Sequence, residues 1–312
     1  MTRRWERAIN RALLQWQLAP AVRQYPRPRV VVTTIPIAAI LVRVLQVDRW
    51  LYYCVDDFRN WPEMDRKGIA DLERCLVEQA DVIIAANEYL KRHIEEFGKT
   101  AVIITHGIDW ERWSSPAREK SIEPISEWLR RYERPWIVFW GSINWQVDAT
   151  IVAAISDRLV QGSILLIGPI NTHDPKLGGI ARVKMPGPIP QCMLSVLARH
   201  TDVLIMPYRR GPGVDESEPL KLREYLATDR PVVVCDIPAT RGWADAVDIA
   251  TTPEEFAAWV DLRLKVGVDP HQLEARQRVR GESWSEKAKQ FVEVAFHSLH
   301  GPLMNLDPGR TG

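Results

Sequence analysis

The feature that most constrains the fold is an alternation of short β-branched runs with helical patterns, carried through twice. The first series holds "RVVVTTIP", an apolar helical stretch around 37–46, "WLYYCVDDF", a helical pattern over 63–80, "ADVIIAAN", "EYLKRHIEEF" and "TAVIITHGID". Strands separated by helices form parallel sheets covered on both faces, because each crossover must pack back onto the sheet. Residues 114–135 are polar, contain Pro116, Pro124 and Pro135, and read as a linker with a short helix. The alternation then restarts with "WIVFWGSI", a helix over 147–160, "SILLIG", a Gly/Pro-rich loop, a helix over 190–199, "DVLIMPY", a helix over 219–228, "PVVVCD" and "TPEEFAAWVDLRL". A terminal helix at about 283–298 follows, and the tail after it is expected to fray. The expectation is an α/β chain of two tandem units: 1–134 with the linker, 135–281, and a terminal helix and tail over 282–312.

Composition excludes several classes. At 312 residues, 46% hydrophobic and 26% charged, the chain can build two real cores, and a net charge of +1 makes it no general binder of polyanions or nucleic acid. Four scattered cysteines without CxxC spacing argue for a reducing cytosol and against structural zinc. The most apolar stretch, from Val30, is broken by Thr33, Thr34, Pro36 and Arg43, so no transmembrane span and no signal peptide are expected. Charge is uneven only at the start, where residues 1–29 carry seven Arg against one Glu. There Trp5, Ile9, Ala12, Leu13 and Trp16 recur at helical spacing. Such a helix can lie on an anionic membrane or dock on its own sheet.

The most informative segment is "ESEPLKLREYLATDRPVVV", Glu216 to Val234. Pro219 suits a first helical position, Ser217 an N-cap, and Leu220, Leu222, Tyr225 and Leu226 an apolar side. Glu216 then precedes a helix start and Glu224 lies inside the helix. A helix start offers free N–H groups to an anion. Ligands of open parallel sheets bind beyond the carboxyl ends of the strands, and here the loops at those ends carry "VDDF", "HGID", "GSINW", "IGPINTHD" and "PYRRGPGVDESE".

Taken together, these pieces resemble the family 4 glycosyltransferases of the GT-B fold, in particular a bacterial surface-polysaccharide branch reading P-L-K-x-x-E-Y-L-A. "DESEPLKLREYLATDRPVVV" is similar to that family's E-x7-E segment, "LYYCVDDFRNW" to Y-D-x-x-D-D-F, and "ITHGIDWERW" to N-G-V-D-x-x-x-F. "EQADVIIAANEYL", "GSINWQVD" and "LLIGP" follow the family order, and the likeness spans about residues 29–296. The resemblance implies two Rossmann-like parallel-sheet domains with a cleft between them. The donor would be a nucleotide diphosphate sugar and the acceptor a glycan or lipid-linked glycan, with anomeric configuration retained. It further implies that Glu216 contacts the donor sugar and Glu224 the ribose. The diphosphate would meet Lys221 and the backbone around Ser217 and Leu220, with Gly141, Asn144 and Gly107 also on the donor side. No cofactor and no metal ion are implied.

This chain departs from the family pattern in several places. The usual E-G-F-G loop reads E-S-E-P, and the Arg and Lys common after the first strand of the second half are missing from "GSINWQVDA". The Gly-rich acceptor loop and the first two or so strands of the acceptor half have no counterpart, so the first domain is expected to be a reduced one. Asp57 is the candidate for deprotonating or orienting an acceptor hydroxyl; Asp56 and Trp61 are the other acceptor-side candidates, and loop capping is the alternative for the aspartates. Trp145 is a second candidate stacking platform among 13 tryptophans. His106 reads as a turn histidine, His173 and Asp174 as a weak base-recognising pair, and His200 as a partner for a helix dipole. The expectation is a cytoplasmic enzyme, with membrane contact through the Arg/Trp helix as one reading. A catalytically impaired remnant that binds nucleotide or a partner protein, and a nucleotide-sugar epimerase, are the alternatives.

Overall fold

In a computed structural model that describes residues 4–60, 65–114 and 119–296, the chain divides into two compact units. One comprises residues up to His106 together with those from Ser285, and the other runs from Gly107 to Trp284.

In the first unit, helix α1 (Arg4–Arg23) precedes β1 (Val30–Thr33), a 3-10 segment (Pro36–Leu41) and β2 (Arg49–Cys54). Then come α2 (Arg66–Gln79), β3 (Val82–Ala85), α3 (Glu88–Glu95) and β4 (Val102–Ile103). The strands pair in chain order, β1-β2-β3-β4, all parallel. β2 and β3 are buried almost throughout, which is why "WLYYC" and "VIIA" are continuous apolar runs and not alternating ones. Asp65 and Asn87 cap α2 and α3 by accepting from Gly68 N and Leu90 N. The helix expected around 37–46 is a short 3-10 piece, since Pro36 starts it and Arg43, at positive φ, ends it.

α1 meets this core through Leu14, Ala19 and Val22. The residues whose spacing stood out lie elsewhere on it: Trp5, Ile9, Leu13 and Trp16 are exposed, Trp16 by 75%.

The second unit begins with α4 (Trp110–Ser114) and α5 (Glu119–Leu129), followed by β5 (Trp136–Trp140), α6 (Ala149–Arg158), β6 (Ser163–Ile167) and β7 (Val183–Gly187). Next are α7 (Gln191–His200), β8 (Val203–Met206), α8 (Leu220–Leu226), β9 (Val232–Cys235), α9 (Pro238–Arg241), β10 (Asp248–Ala250), α10 (Pro253–Val266) and α11 (Pro270–Ala275). Its six parallel strands lie in the order β10-β9-β8-β5-β6-β7. From β5 the chain winds outward through β6 to β7, then returns to β8 on the other side of β5 and winds the opposite way. Strand order therefore reverses between β5 and β8.

The units divide elsewhere than the sequence suggested. Residues 107–134 belong with the second unit, because Trp113, Ile125 and Leu129 are buried in its core. Helix α12 (Trp284–Phe296) belongs from Ser285 onward with the first, where Val294 and Ala295 pack on Leu51, Val82 and Ile84. Arg49 adds a 2.7 Å hydrogen bond to Ala295 O. β7 and β10 were not expected: β7 reads "VKMPG" and β10 "DIA", too short and too polar to signal a strand.

Candidate functional site

The second unit gathers most of the residues expected on the donor side at the strand-order reversal. β5 ends at Trp140 and the chain turns at Gly141, at φ 136°. β6 ends beside it at Gly168, φ 146°; a Cβ on Gly168 would stand 2.0 Å from Gly141 O, so this approach excludes any side chain. A Cβ on Gly141 would stand 2.6 Å from Lys221 Nζ. The Lys221 ammonium thus rests against the glycine turn. It lies 4.7 Å from the ring centres of both Phe139 and Tyr208 and donates to the Tyr208 hydroxyl. A cation stands at the end of β5 even though the β5 loop contributes none.

A hydrogen-bonded path joins the loop after β5 to the loop after β8. Asn144 Oδ1 accepts from Gln146 N at 2.9 Å, Gln146 Nε2 donates to Gly213 O at 3.2 Å, and Gly213 N donates to Glu216 Oε2. Backbone bonds from Asp148 N to Pro207 O and from Arg209 N to Gln146 O close the two loops along their length. Gly211 and Gly213 adopt positive φ, so this loop keeps glycines at its tight points although they lie upstream of Glu216 and not directly after it.

Glu224 is half-buried on α8, and its Oε2 accepts from Trp140 Nε1 at 2.7 Å. Burial raises its pKa above the ordinary carboxylate value, against the opposing pull of that indole N–H, Lys221 and Arg112. Trp140 stacks on Trp113, with ring centres 5.4 Å apart and planes at 12°, and meets the Tyr225 ring edge-on. α8 is anchored by two buried arginines. Arg223 pairs with Glu218 at 2.6 Å, and Arg276 donates to the carbonyls of Thr228, Arg230 and Ala246. Both guanidiniums meet oxygen partners, while Arg223 Nε and one terminal nitrogen of Arg276 are buried without a hydrogen bond.

Three expectations about this segment change. Ser217 does not cap α8: its hydroxyl donates to Val214 O, and Pro219 stands at the N-cap with no side-chain bond. Leu220 is exposed, not part of the apolar side, while Arg223 is buried there. α8 has only 7 residues, too short for a large terminal dipole, so fixed positive charge comes chiefly from Lys221. Gly107 has a local role: a Cβ there would stand 2.8 Å from Trp284 Cα. Trp145 packs against the core of the second unit.

Of the histidines, His106 Nδ1 lies 3.5 Å from the Tyr53 hydroxyl, and His173 Nδ1 lies 2.9 Å from Asn171 O. Asp174 caps the 3-10 turn Pro175–Gly179. His200 was expected to carry charge at the end of α7. Instead burial, followed by Arg230, Arg134 and Arg199, lowers its pKa and favours the neutral ring.

In the first unit, Asp57 is 1% exposed and follows β2. Arg59 grips it bidentately through Nε at 2.8 Å and a terminal nitrogen at 2.7 Å, and the Tyr89 hydroxyl donates to it at 3.2 Å. Burial works to raise its pKa, but the Arg59 hydrogen bonds and charge outweigh it and hold the carboxyl below its usual value. That arrangement suits an anchor better than a base. Asp56 Oδ1 accepts from Asp57 N at 2.8 Å, a turn-capping bond. Trp61 lies outside the described residues.

Trp140, Gln146, Tyr208 and Trp113 were not singled out from the sequence for this site. Trp140 and Tyr208 sit at the ends of apolar runs, where an aromatic residue reads as core.

No family model matches this chain. It is 27% identical over 253 residues to TuaH of Bacillus subtilis (strain 168), whose name places it among teichuronic acid biosynthesis glycosyltransferases. The match covers 76% of this chain and 62% of that protein, so this chain spans about three fifths of its relative's length. Among solved structures, Anabaena Alr3699/HepE in complex with UDP-glucose is similar, with TM-score 0.72 and 12% identity over 90% of this chain and 81% of that one. Sucrose-phosphate synthase from Thermosynechococcus elongatus is similar too, with TM-score 0.69 and 15% identity over 92% and 77%. The fold is α/β with Rossmann-like parallel-sheet units, as in these GT-B glycosyltransferases.

Asp57→Asn should cost about 1.5–3 kcal/mol of stability at neutral pH, the range for a hydrogen bond to a charged group. Because the folded-state pKa is lowered, the wild-type advantage is present above the carboxyl's ordinary value and disappears as pH falls through the folded-state value. Urea unfolding of both proteins from neutral to strongly acidic pH measures this.

Proposed function

We propose that the second unit binds a nucleoside diphosphate sugar, and that the chain is a glycosyltransferase of surface polysaccharide assembly. The observation that carries this reading is the convergence of Glu216, Lys221, Glu224 and the Gly141 turn at the strand-order reversal, where open parallel sheets bind ligands. The likeness to TuaH, and the UDP-glucose in the HepE structure, support it.

Each group then has a task. Lys221 stands where a diphosphate would face the glycine turn, and a fixed cation there stabilises the charge that builds on the leaving group. Glu224 accepts from ribose hydroxyls and Glu216 from those of the sugar. The bond from the anomeric carbon to the diphosphate oxygen breaks, with the electron pair leaving on the nucleoside diphosphate. The acceptor hydroxyl oxygen forms the new bond, and its proton passes to the departing diphosphate oxygen. Retention of anomeric configuration and transfer of a hexose to a glycan or lipid-linked glycan complete the reading; neither cofactor nor metal is required by it.

Peripheral contact with an anionic membrane is part of the same proposal. Among the described residues no helix is long and apolar enough to cross a membrane. The exposed Trp5, Ile9, Leu13 and Trp16 of α1, within a segment carrying seven Arg and one Glu over residues 1–29, support a surface contact instead.

Glu224→Ala should weaken UDP or GDP binding by about 1–3 kcal/mol in calorimetry, through loss of charge-assisted hydrogen bonds. Glu216→Ala should chiefly lower the rate of transfer from the nucleotide sugar that the wild type uses. Unchanged affinity in the first variant and an unchanged rate in the second would overturn the assignment. Interconversion of donor epimers without acceptor would point to an epimerase instead. Replacing Trp5 and Trp16 together by Ser should reduce sedimentation with phosphatidylglycerol vesicles; equal sedimentation of variant and wild type would remove α1 from membrane contact.

A further inference from the structure

Glu224 is a candidate donor-site carboxylate whose orientation is set by a group from another element. Trp140, the last residue of β5, donates its indole N–H to Glu224 Oε2 at 2.7 Å. The indole cannot swing away. Trp113 stacks on one side of it at 5.4 Å, the Tyr225 ring meets it edge-on at 4.5 Å, and the residue is 3% exposed. Its backbone is held as well, by a 3.3 Å bond from Trp140 N to the Tyr225 hydroxyl, which itself donates to Ile205 O at 3.1 Å. Trp113 comes from α4, Trp140 from β5 and Tyr225 from α8, so three elements of the second unit fix a single N–H.

We infer that Trp140 is the positioning residue of the nucleotide site: its indole N–H pins one oxygen of Glu224 and leaves the other to accept from the vicinal hydroxyls of a ribose. The inference rests on the nucleotide-sugar reading above and deepens it. A carboxylate free to rotate loses orientational entropy when it engages a diol, whereas a pinned one has lost it on folding. The indole is also a donor only, so it stabilises the charged, accepting form of Glu224. The groups acting on this carboxyl are the Trp140 indole, Lys221 on α8, Arg112 on α4 and the neighbouring Tyr225 hydroxyl. Burial raises the Glu224 pKa while the indole bond lowers it, so removing that bond moves the pKa further up.

The test is Trp140→Phe, which keeps an aromatic ring against Trp113 and Tyr225 and deletes the N–H. UDP and GDP are the probes, and thermal denaturation establishes that the variant is folded. Relative to wild type, W140F should bind the preferred nucleotide roughly tenfold more weakly, the loss of one hydrogen bond to a charged group. KM for the nucleotide sugar should rise with kcat little changed. The midpoint below which binding is lost at acid pH should shift upward. In a Glu224→Gln background the same substitution should add little further loss, because Trp140 acts through that carboxylate. One arm needs no ligand: the indole N–H resonance that disappears in W140F should move with pH in the wild type and stand still in E224Q. Wild-type affinity and pH midpoint in a folded W140F, or losses that multiply independently in the double variant, overturn the inference. Failure of the wild type to bind either nucleotide, with the indole resonance still following Glu224, overturns the nucleotide-sugar reading and leaves the Trp140–Glu224 coupling standing.

Discussion

In the six-stranded sheet of the second unit, β5 and β8 are neighbours that the chain leaves in opposite directions, β6 lying beyond one and β9 beyond the other. The loops that follow these two strands lie where strand order reverses, the position at which open parallel sheets bind ligands. All the candidate donor groups of the second unit except Gly107 are placed by this geometry. Gly141 and Asn144 follow β5, Tyr208 and Glu216 follow β8, and α8 carries Lys221 and Glu224 back toward the end of β5. The hydrogen bonds through Gln146 and Gly213 then turn two loops into one wall.

Charge is distributed around that wall economically. Lys221 supplies a cation beside the Gly141 turn, where the β5 loop has none of its own, and the faces of Phe139 and Tyr208 steady it. The buried arginines of the unit serve a different purpose. Arg223 and Arg276 are consumed by carboxylates and carbonyls that hold the two ends of α8. A buried guanidinium bonded to carboxylate or carbonyl oxygens fixes the chain around it; a half-exposed ammonium beside a glycine turn remains able to meet an anion. In the first unit Asp57 follows the former pattern, its two oxygens held by Arg59.

Much of the fold was legible in the chain. Parallel strands buried on both faces must be continuous β-branched runs, and "VIIA", "SILLI", "VLIM" and "VVVC" are. The short helix that carries Lys221 and Glu224 was legible in "PLKLREYL". Less legible were β7 and β10, which exist because a neighbouring strand offers free backbone groups and not because their own residues favour extension. The unit boundary was misplaced for a related reason. The polar character of residues 114–135 hid the few apolar positions, Ile125 and Leu129, that decide where the segment packs.

By itself the sequence determined the class of architecture, since hydrophobic periodicity and the alternation of elements depend only on neighbours along the chain. It also determined that Lys221 and Glu224 share one short helix. Tertiary structure alone decided what those groups face. Ser217 could have capped α8 but turns to Val214 O, Leu220 could have been core but is exposed, and Trp140 could have been core alone but reaches Glu224. Each outcome is set by atoms that lie far away in sequence and close in space, and one-dimensional spacing does not record the direction in which a side chain at the end of a strand will point.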